Sequence, residues 1–135
     1  MANILIADQD EGIRKVLAEC LKGAGHKLYQ AGDGDEVMQL IRNNAIHVVL
    51  TDRELAGKDG LEVLQEITKT RPQIPVVVMV GVEEEDSEDI LDAGAFATLC
   101  KPFNILELRR IIDEAVPESL KSLTNVQQKN EKKLR

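Results

Sequence analysis

Five short runs of mostly apolar and β-branched residues alternate along the chain with segments of helical periodicity. The runs are Asn3–Ala7, Lys27–Ala31, Val48–Leu50, Val76–Val80 and Phe96–Cys100. Runs that are apolar at every position are typical of strands buried on both faces of a sheet. Strands that alternate with helices form a parallel sheet covered by helices on both faces. The alternation therefore predicts an α/β fold of three layers.

The segments between these runs contain apolar residues spaced as on one face of a helix. The residues expected to face the core are Ile13, Val16, Leu17, Cys20, Leu21, Val37, Leu40, Ile41, Leu61, Leu64, Ile67, Ile105, Leu108, Ile111, Ile112 and Ala115. An acidic helix is expected over Glu83–Asp92. Asp10, then Asp33 or Asp35, and finally Asn104 are expected to cap the first, second and last helices.

Few topologies are compatible with this order of elements, because crossovers between parallel strands are right-handed. We choose the flavodoxin-like doubly wound sheet with strand order 2-1-3-4-5. Its crevice lies beside strands 1 and 3, at the carboxyl ends of the strands.

The composition is that of one globular domain. The chain has 135 residues, of which 43% are hydrophobic and 30% charged. No apolar run approaches the roughly 20 residues that a membrane helix needs, and a strand begins at the N-terminus without a signal peptide. Two cysteines far apart do not form a disulfide framework. We therefore expect a cytoplasmic protein with no membrane partner.

The negative charge is concentrated in the first 116 residues. The formal net charge is −7, yet residues 117–135 contain five basic and two acidic residues. An acidic body argues against direct nucleic-acid binding and suits a cation site. Because Pro117 ends the last helix, we expect a domain over residues 1–116. Residues 117–135 would be a helical or disordered tail, or the start of a linker to a lost output domain.

Three charged residues stand at the ends of strands. Asp8 follows strand 1, Asp52 ends strand 3 and Lys101 follows strand 5. In the chosen topology all three lie at the same edge of the sheet. Two carboxylates suit Mg²⁺, a lysine can pair with a phosphoryl oxygen, and a carboxylate can act as a nucleophile. The set predicts an aspartyl-phosphate site in which Asp52 is the acceptor.

Three stretches of sequence resemble one family. They are ILIADQDEGIR, VVLTDRELAGKDGLEVL and DAGAFATLCKPF. They are similar to the first strand with its acidic pocket, to the phosphoacceptor strand with its loop, and to the Lys-Pro end of the fifth strand in receiver domains. The chain thus resembles the receiver domains of bacterial response regulators, the chemotaxis-regulator-like family, over about residues 2–116.

The resemblance implies roles for particular residues. Asp52 would accept phosphate from a sensor histidine kinase or a phosphotransfer protein, and Lys101 would contact the phosphoryl group. Mg²⁺ would be held by Asp8, Gln9, Asp52 and the backbone carbonyl of Glu54. The domain would be a switch rather than an enzyme, apart from its own phosphorylation and dephosphorylation. Its face of helix 4, strand 5 and helix 5 would contact a downstream protein or a second copy.

Four positions depart from the pattern of the family. Gln9 stands where a second acid is usual, which predicts weak Mg²⁺ binding. Val80 replaces a Ser or Thr whose hydroxyl binds the phosphoryl group, and Thr98 replaces an aromatic switch residue. Ala56 replaces a proline of the loop. We therefore expect phosphorylation to change the face of helix 4, strand 5 and helix 5 less than in an ordinary receiver.

Two other functions remain open from the sequence. A pseudo-receiver would keep the fold and signal without phosphate, which Gln9, Val80 and Thr98 favour. A haloacid-dehalogenase-like phosphatase would use Asp8 as nucleophile and Asp10 as acid and base. The second alternative leaves Asp52 without a role, and the chain lacks the cap insertion that is usual in that family.

The histidines and cysteines are assigned structural places. His26 and His47 have no partner at ligand spacing and are expected at the surface or at strand edges rather than on a metal. Cys20 and Cys100 are expected to pack in the core.

Overall fold

The computed structural model describes residues 2–81 and 88–120. Five strands and five helices alternate within these residues. The strands are β1 (Asn3–Ala7), β2 (Lys27–Ala31), β3 (Val48–Asp52), β4 (Val76–Val80) and β5 (Ala97–Cys100). The helices are α1 (Glu11–Lys22), α2 (Gly34–Asn43), α3 (Gly60–Thr70), α4 (Glu88–Asp92) and α5 (Ile105–Ala115). Much of the expected helix Glu83–Asp92 lies outside the described residues.

The five strands form one parallel sheet in the order β2-β1-β3-β4-β5, which confirms the predicted topology. Buried residues of α1 and α5 pack on one face, with Leu17, Leu21, Leu108 and Ile112 among them. Residues of α2, α3 and α4 pack on the other face in a second cluster. The central strands β1, β3 and β4 are therefore apolar on both sides, which explains why their sequences do not alternate.

Helices α1, α2, α3 and α5 begin where the sequence provides a capping side chain. Asp10 accepts hydrogen bonds from the backbone N–H groups of Gly12 and Ile13, and Asp33 accepts one from Glu36. Asn104 caps α5 in the same way. These three caps were predicted from the sequence, with Asp33 rather than Asp35 at α2. Asp59 caps α3 and was not predicted.

Four expectations about single residues or boundaries are wrong. Val16 is 63% exposed, because it lies at the side of the apolar stripe of α1 where the helix leaves the sheet uncovered. Ile105 is 51% exposed, since it is the first residue of α5. Cys100 is exposed, because it is the last residue of the edge strand. Phe96 precedes β5 rather than belonging to it.

Both histidines lie at the opposite end of the sheet from the strand tips considered below. The Nδ1 atom of His26 accepts the N–H of Ala2, and that of His47 accepts the N–H of Asn3. Burial lowers the pKa of His26, against the opposing charge of Asp113, which keeps its imidazole neutral as an acceptor. The two histidines thus hold the start of β1, as expected for strand-edge residues. Cys20 packs against the core as predicted.

Candidate functional site

The register of the strands brings the tips of β1 and β3 together. Ala7 of β1 pairs with Thr51 of β3. The residues that follow them, Asp8 and Asp52, therefore lie side by side at the ends of two adjacent strands. Asp52 pairs with Met79 on β4, and Val80 pairs with Cys100 on β5. The next residue along β5 is Lys101. The three residues that the sequence predicted to converge therefore meet at the carboxyl edge of the sheet.

Asp52 is held through both oxygens of its carboxylate. Its Oδ2 accepts a hydrogen bond of 2.7 Å from Nζ of Lys101, and its Oδ1 accepts one of 3.1 Å from the backbone N–H of Glu54. The side chain stays 18% exposed. This carboxylate is fixed in direction and open to solvent, as a nucleophile that meets an incoming group must be.

Asp8 is the more buried of the two carboxylates, with only 1% of its surface exposed. Its Oδ1 accepts the backbone N–H of Asp10 at 2.9 Å, and its Oδ2 accepts Nζ of Lys101 at 3.2 Å. Burial raises the pKa of Asp8, and the charge of Asp52 adds to that rise, although the N–H of Asp10 and the charge of Lys101 oppose it. The site therefore contains a carboxylate whose negative charge is costly without a cation.

Lys101 bridges the two acids. Burial lowers its pKa, but the hydrogen bond and charge of Asp52, together with those of Asp8, outweigh burial and leave the pKa raised. The ammonium group is therefore protonated throughout the neutral range. The cation reduces the repulsion between Asp8 and Asp52, and its position next to Oδ2 of Asp52 suits it to a phosphoryl oxygen attached there.

Two glycines fix the loop that follows Asp52. A Cβ on Gly60 would clash with the carbonyl oxygen of Asp52, and a Cβ on Gly34 would clash with that of Lys58. The N–H of Gly60 also donates to the carbonyl of Arg53 at 2.8 Å. Because neither glycine has a side chain, α3 and the start of α2 pack directly against the loop. This packing holds Glu54 near Asp52.

The donors present suit Mg²⁺ with few protein ligands. Asp8 and Asp52 supply carboxylate oxygens, Glu54 lies beside Asp52, and Gln9 is exposed at the same strand tip. Among residues 2–81 and 88–120, no group of three or more His, Cys, Asp or Glu side chains could hold a metal. The two carboxylates of Asp8 and Asp52 agree with Mg²⁺, which commonly keeps several waters and takes one or two carboxylates.

The two positions expected to act as switches lie on β4 and β5, and the carbonyl of Val80 accepts the backbone N–H of Lys101 at 2.8 Å. Val80 is 4% exposed and packs in the apolar cluster beneath α4, and Thr98 is half-buried on β5 opposite Val78. Val80 has no hydroxyl to donate, and Thr98 has no ring to move between exposed and buried positions. Both residues thus lack the groups that the resemblance assigns to a hydroxyl–aromatic relay.

Sequence reasoning missed an ion pair beside the site. Nη2 of Arg53 lies 2.9 Å from Oδ2 of Asp89 in the first turn of α4. The signal available in the sequence was the long cationic side chain of Arg53, which directly follows Asp52. The partner could not be identified from the sequence, because the two residues are 36 positions apart.

An open groove of about 790 Å³ borders the site on the α1 side. Its walls come from α1 and from the loop between β5 and α5, and they are mostly apolar. The lining includes Ile13, Val16, Leu17, Lys101, Pro102 and Phe103. The groove explains why Val16 is exposed, since this side chain forms its wall instead of reaching the core.

The sheet order and the charged residues at its carboxyl edge define the class of receiver domains. The model of the response regulator receiver domain family matches residues 4–113, so the chain belongs to that family. The domain therefore serves the phosphorylation-based signalling of two-component systems, as a signalling domain rather than an enzyme of the ordinary kind. Receiver domains typically bind Mg²⁺ at the phosphorylation site, and they interact with histidine kinases or phosphotransfer proteins.

Several relatives have known names. The chain is 35% identical over 112 residues to the DNA-binding transcriptional regulator NtrC of Klebsiella pneumoniae, covering 82% of this chain and 24% of the relative. It is 30% identical to sporulation initiation phosphotransferase F of Bacillus subtilis, covering 84% of this chain and 93% of the relative. The chain thus spans about a quarter of the length of NtrC.

Solved structures agree with these similarities. The receiver domain of NtrX from Brucella abortus has a TM-score of 0.79 and 33% identity, with 83% of this chain and 96% of that chain covered. A response regulator receiver domain protein from Clostridium thermocellum has a TM-score of 0.82 and 27% identity, covering 92% of this chain and 99% of that chain.

These findings argue against one of the two alternative functions, the haloacid-dehalogenase-like phosphatase. The phosphatase hypothesis needs Asp10 as acid and base, but its carboxylate caps α1 through Gly12 and Ile13, and the family match points elsewhere. None of the helices in the described ranges is both long and apolar enough to cross a membrane.

Proposed function

We propose that Asp52 accepts a phosphoryl group from a phosphohistidine of a sensor kinase or phosphotransfer protein. The observation that carries this proposal is the 2.7 Å contact between Oδ2 of Asp52 and Nζ of Lys101, beside the buried Asp8. A fixed, partly exposed carboxylate next to a protonated lysine is suited to nucleophilic attack on phosphorus.

The transfer conserves charge and electrons. A carboxylate oxygen of Asp52 attacks the phosphorus in line with the leaving nitrogen, and a new P–O bond forms as the P–N bond breaks. The electron pair of the P–N bond returns to the imidazole of the donor, which takes a proton from water. Lys101 binds a phosphoryl oxygen during transfer, and the N–H of Glu54 orients the attacking carboxylate.

We propose that Asp8, Asp52, the carbonyl of Glu54 and the side chain of Gln9 hold Mg²⁺. When bound, Mg²⁺ neutralises charge that develops on the phosphoryl oxygens. The burial that raises the pKa of Asp8 makes a divalent cation beside it favourable. Gln9 contributes an oxygen without a charge, so the affinity is weaker than with a second acid.

We propose that the protein that donates the phosphoryl group docks over the groove between α1 and the β5–α5 loop. The groove is largely apolar and opens beside Lys101, so a helix seated in it would hold a histidine near Asp52. The exposed Val16 and the wall residue Phe103 provide apolar contacts for such a helix.

The output is proposed to be a protein contact in the cytoplasm. The exposed apolar side chains Leu91 on α4 and Leu106 on α5 favour the face of α4, β5 and α5 as the partner or dimer surface. We keep residues 1–116 as the proposed domain and 117–135 as the proposed tail, of which residues 121–135 lie outside the described chain.

The test is intact mass after incubation with acetyl phosphate and Mg²⁺. We expect the mass of one phosphoryl group on the wild-type chain and none on Asp52→Asn. Asp92→Asn changes an exposed acid on α4 and should label like the wild type. A wild-type chain that gains no mass would instead support the pseudo-receiver, the alternative that Val80 and Thr98 favour. Labelling that persists in Asp52→Asn would show that another residue is the acceptor.

A further inference from the structure

Arg53 joins the phosphoacceptor strand to α4. It directly follows Asp52, and its Nη2 atom lies 2.9 Å from Oδ2 of Asp89. The side chains of Arg53 and Asp89 are 28% and 47% exposed, so both can move in solvent. The ion pair therefore makes a polar contact between the residue that follows Asp52 and the first turn of α4.

The backbone of Arg53 is fixed on both sides. Its N–H donates to the carbonyl of Met79 at 2.9 Å, and its carbonyl accepts the N–H of Gly60 at 2.8 Å. A backbone held by β4 and by the first residue of α3 cannot follow a change at Asp52. Only the guanidinium can respond, and it sits on a flexible stem whose Cα is about 3.8 Å from that of Asp52.

We propose that Arg53 relays phosphorylation of Asp52 to α4 by exchanging Asp89 for a phosphoryl oxygen. The relay rests on the function proposed above, and it fills the place left by Val80, which has no hydroxyl to bind that oxygen. Phosphorylation puts a group of charge near −2 on the neighbouring residue, where Asp89 offers a charge of −1. The planar fork of a guanidinium matches phosphoryl oxygens in two directions.

The release of Asp89 changes only a small part of α4. Ile90 remains in the core, 1% exposed, and continues to hold the described part of the helix against the sheet. The change should therefore be confined to the first turn, Glu88–Leu91. Thr98 has no aromatic ring through which this structural change could extend into β5. This response is narrower than that of a hydroxyl–aromatic relay, and it lies on a surface that already exposes Leu91.

The test uses the ¹⁵N-labelled full chain with acetyl phosphate and Mg²⁺, read by intact mass and by amide chemical shifts. In the wild type, phosphorylation should shift the amides of Asp89, Ile90 and Leu91. In Arg53→Gln the phosphoryl mass should persist while these shifts are lost. Unmodified Asp89→Asn should already resemble the phosphorylated wild type at Ile90 and Leu91. Arg110→Gln breaks the exposed pair with Glu114 on α5 and should respond like the wild type.

Each outcome decides between the proposals. Phosphoryl mass on the wild type without α4 shifts overturns the relay and leaves the function of Asp52 intact. Wild-type α4 shifts in labelled Arg53→Gln also overturn it. If Arg53→Gln does not label, Asp89→Asn carries the test, because an α4 response of wild-type size in that variant contradicts the exchange. No mass on the wild type overturns the proposed function and the relay together.

Discussion

The carboxyl edge of the sheet has two halves that differ in what they retain. On the half formed by β1 and β3, Asp8 and Asp52 are bridged by Lys101 at 3.2 and 2.7 Å. The half formed by β4 and β5 supplies Lys101, and we propose that Val80 and Thr98 on it stand where a hydroxyl and a ring would couple the site to a partner surface. By this proposal the charged groups for phosphoryl chemistry are all present, with both acids on one half, while the other half lacks the usual groups for responding to that chemistry.

The difference teaches that accepting a phosphoryl group and switching have separate physical requirements. Acceptance needs charges held in fixed positions, and here buried strands and glycine contacts fix them. Switching needs contacts that differ between two states. Val80 is buried and has no hydroxyl, so it stabilises the fold without offering a hydrogen bond that would favour one state.

The largest effect should come from restoring the hydroxyl. Val80→Thr should strengthen the structural response to phosphorylation by about 10- to 150-fold in population, because a charge-assisted hydrogen bond contributes roughly 1.5–3 kcal/mol. The unmodified protein should lose about 1–3 kcal/mol of stability, since the hydroxyl is buried. Amide shifts with beryllofluoride, a phosphoryl mimic, measure the response.

Val78→Thr is the matched control, because Val78 is buried on the same face of the same strand, two residues further from the tip. It should lower stability without strengthening the response. An equal gain in both variants would mean that loosened packing, rather than a phosphoryl contact, produces the effect of Val80→Thr.

A second substitution, Gln9→Asp, should strengthen Mg²⁺ binding at the ends of β1 and β3. Gln9→Asp should raise Mg²⁺ affinity by roughly tenfold or more, comparable to the changes that altered metal surroundings produce, because a charged oxygen replaces a neutral one. Calorimetric titration of both proteins with Mg²⁺ measures it. Gln30→Asp, which adds the same charge at an exposed position of β2, should bind Mg²⁺ as the wild type does. Unchanged binding by Gln9→Asp would place the cation away from this residue.

A third change separates docking from chemistry. Val16→Ser should slow phosphoryl transfer from purified, autophosphorylated histidine kinases by about fivefold, the effect of losing roughly 1 kcal/mol of interface energy. Labelling by acetyl phosphate should not change, because this donor needs no groove. Leu91→Ser removes an apolar group on α4 that is 45% exposed, against 63% for Val16, and should leave both rates unchanged. Equal slowing with both kinds of donor would mean that Val16 affects the site rather than docking.

The smallest expected effect is on stability. Asp8→Asn should raise the free energy of unfolding at neutral pH, because burial raises the pKa of Asp8 and makes its charged form costly in the folded state. The gain should be complete above the folded pKa and should vanish as the pH falls below 3.8, where Asp8 is protonated in both states. Urea unfolding across this pH range measures it, and a variant less stable than wild type at neutral pH would refute the assignment.

Much of the fold and the centre of the site could be predicted from the sequence. Strand alternation left few topologies, and the one chosen placed Asp8, Asp52 and Lys101 at one edge because parallel strands end together. Asp10 and Asn104 could be identified as caps because capping is local in sequence. These features depend on short-range patterns or on topology alone.

The remaining features depend on contacts between distant elements. Val16 shares the helical spacing of the core residues, and only the position of Phe103 shows that its side faces a groove. Cys100 alternates with Lys101 along β5, but the end of an edge strand has little cover on either face. The pair of Arg53 and Asp89 needs the placement of α4, which no spacing in the sequence defines.

The most direct test of the contrast between the two halves is one set of amide chemical shifts of the wild-type chain with beryllofluoride and Mg²⁺. We predict large shifts around Asp52, Glu54 and Lys101, a response confined to the first turn of α4, and no comparable change at Thr98 or along α5. Shifts at Thr98 and across α5 as large as those around Asp52 would contradict the account, because they would show that β5 switches without a hydroxyl or a ring.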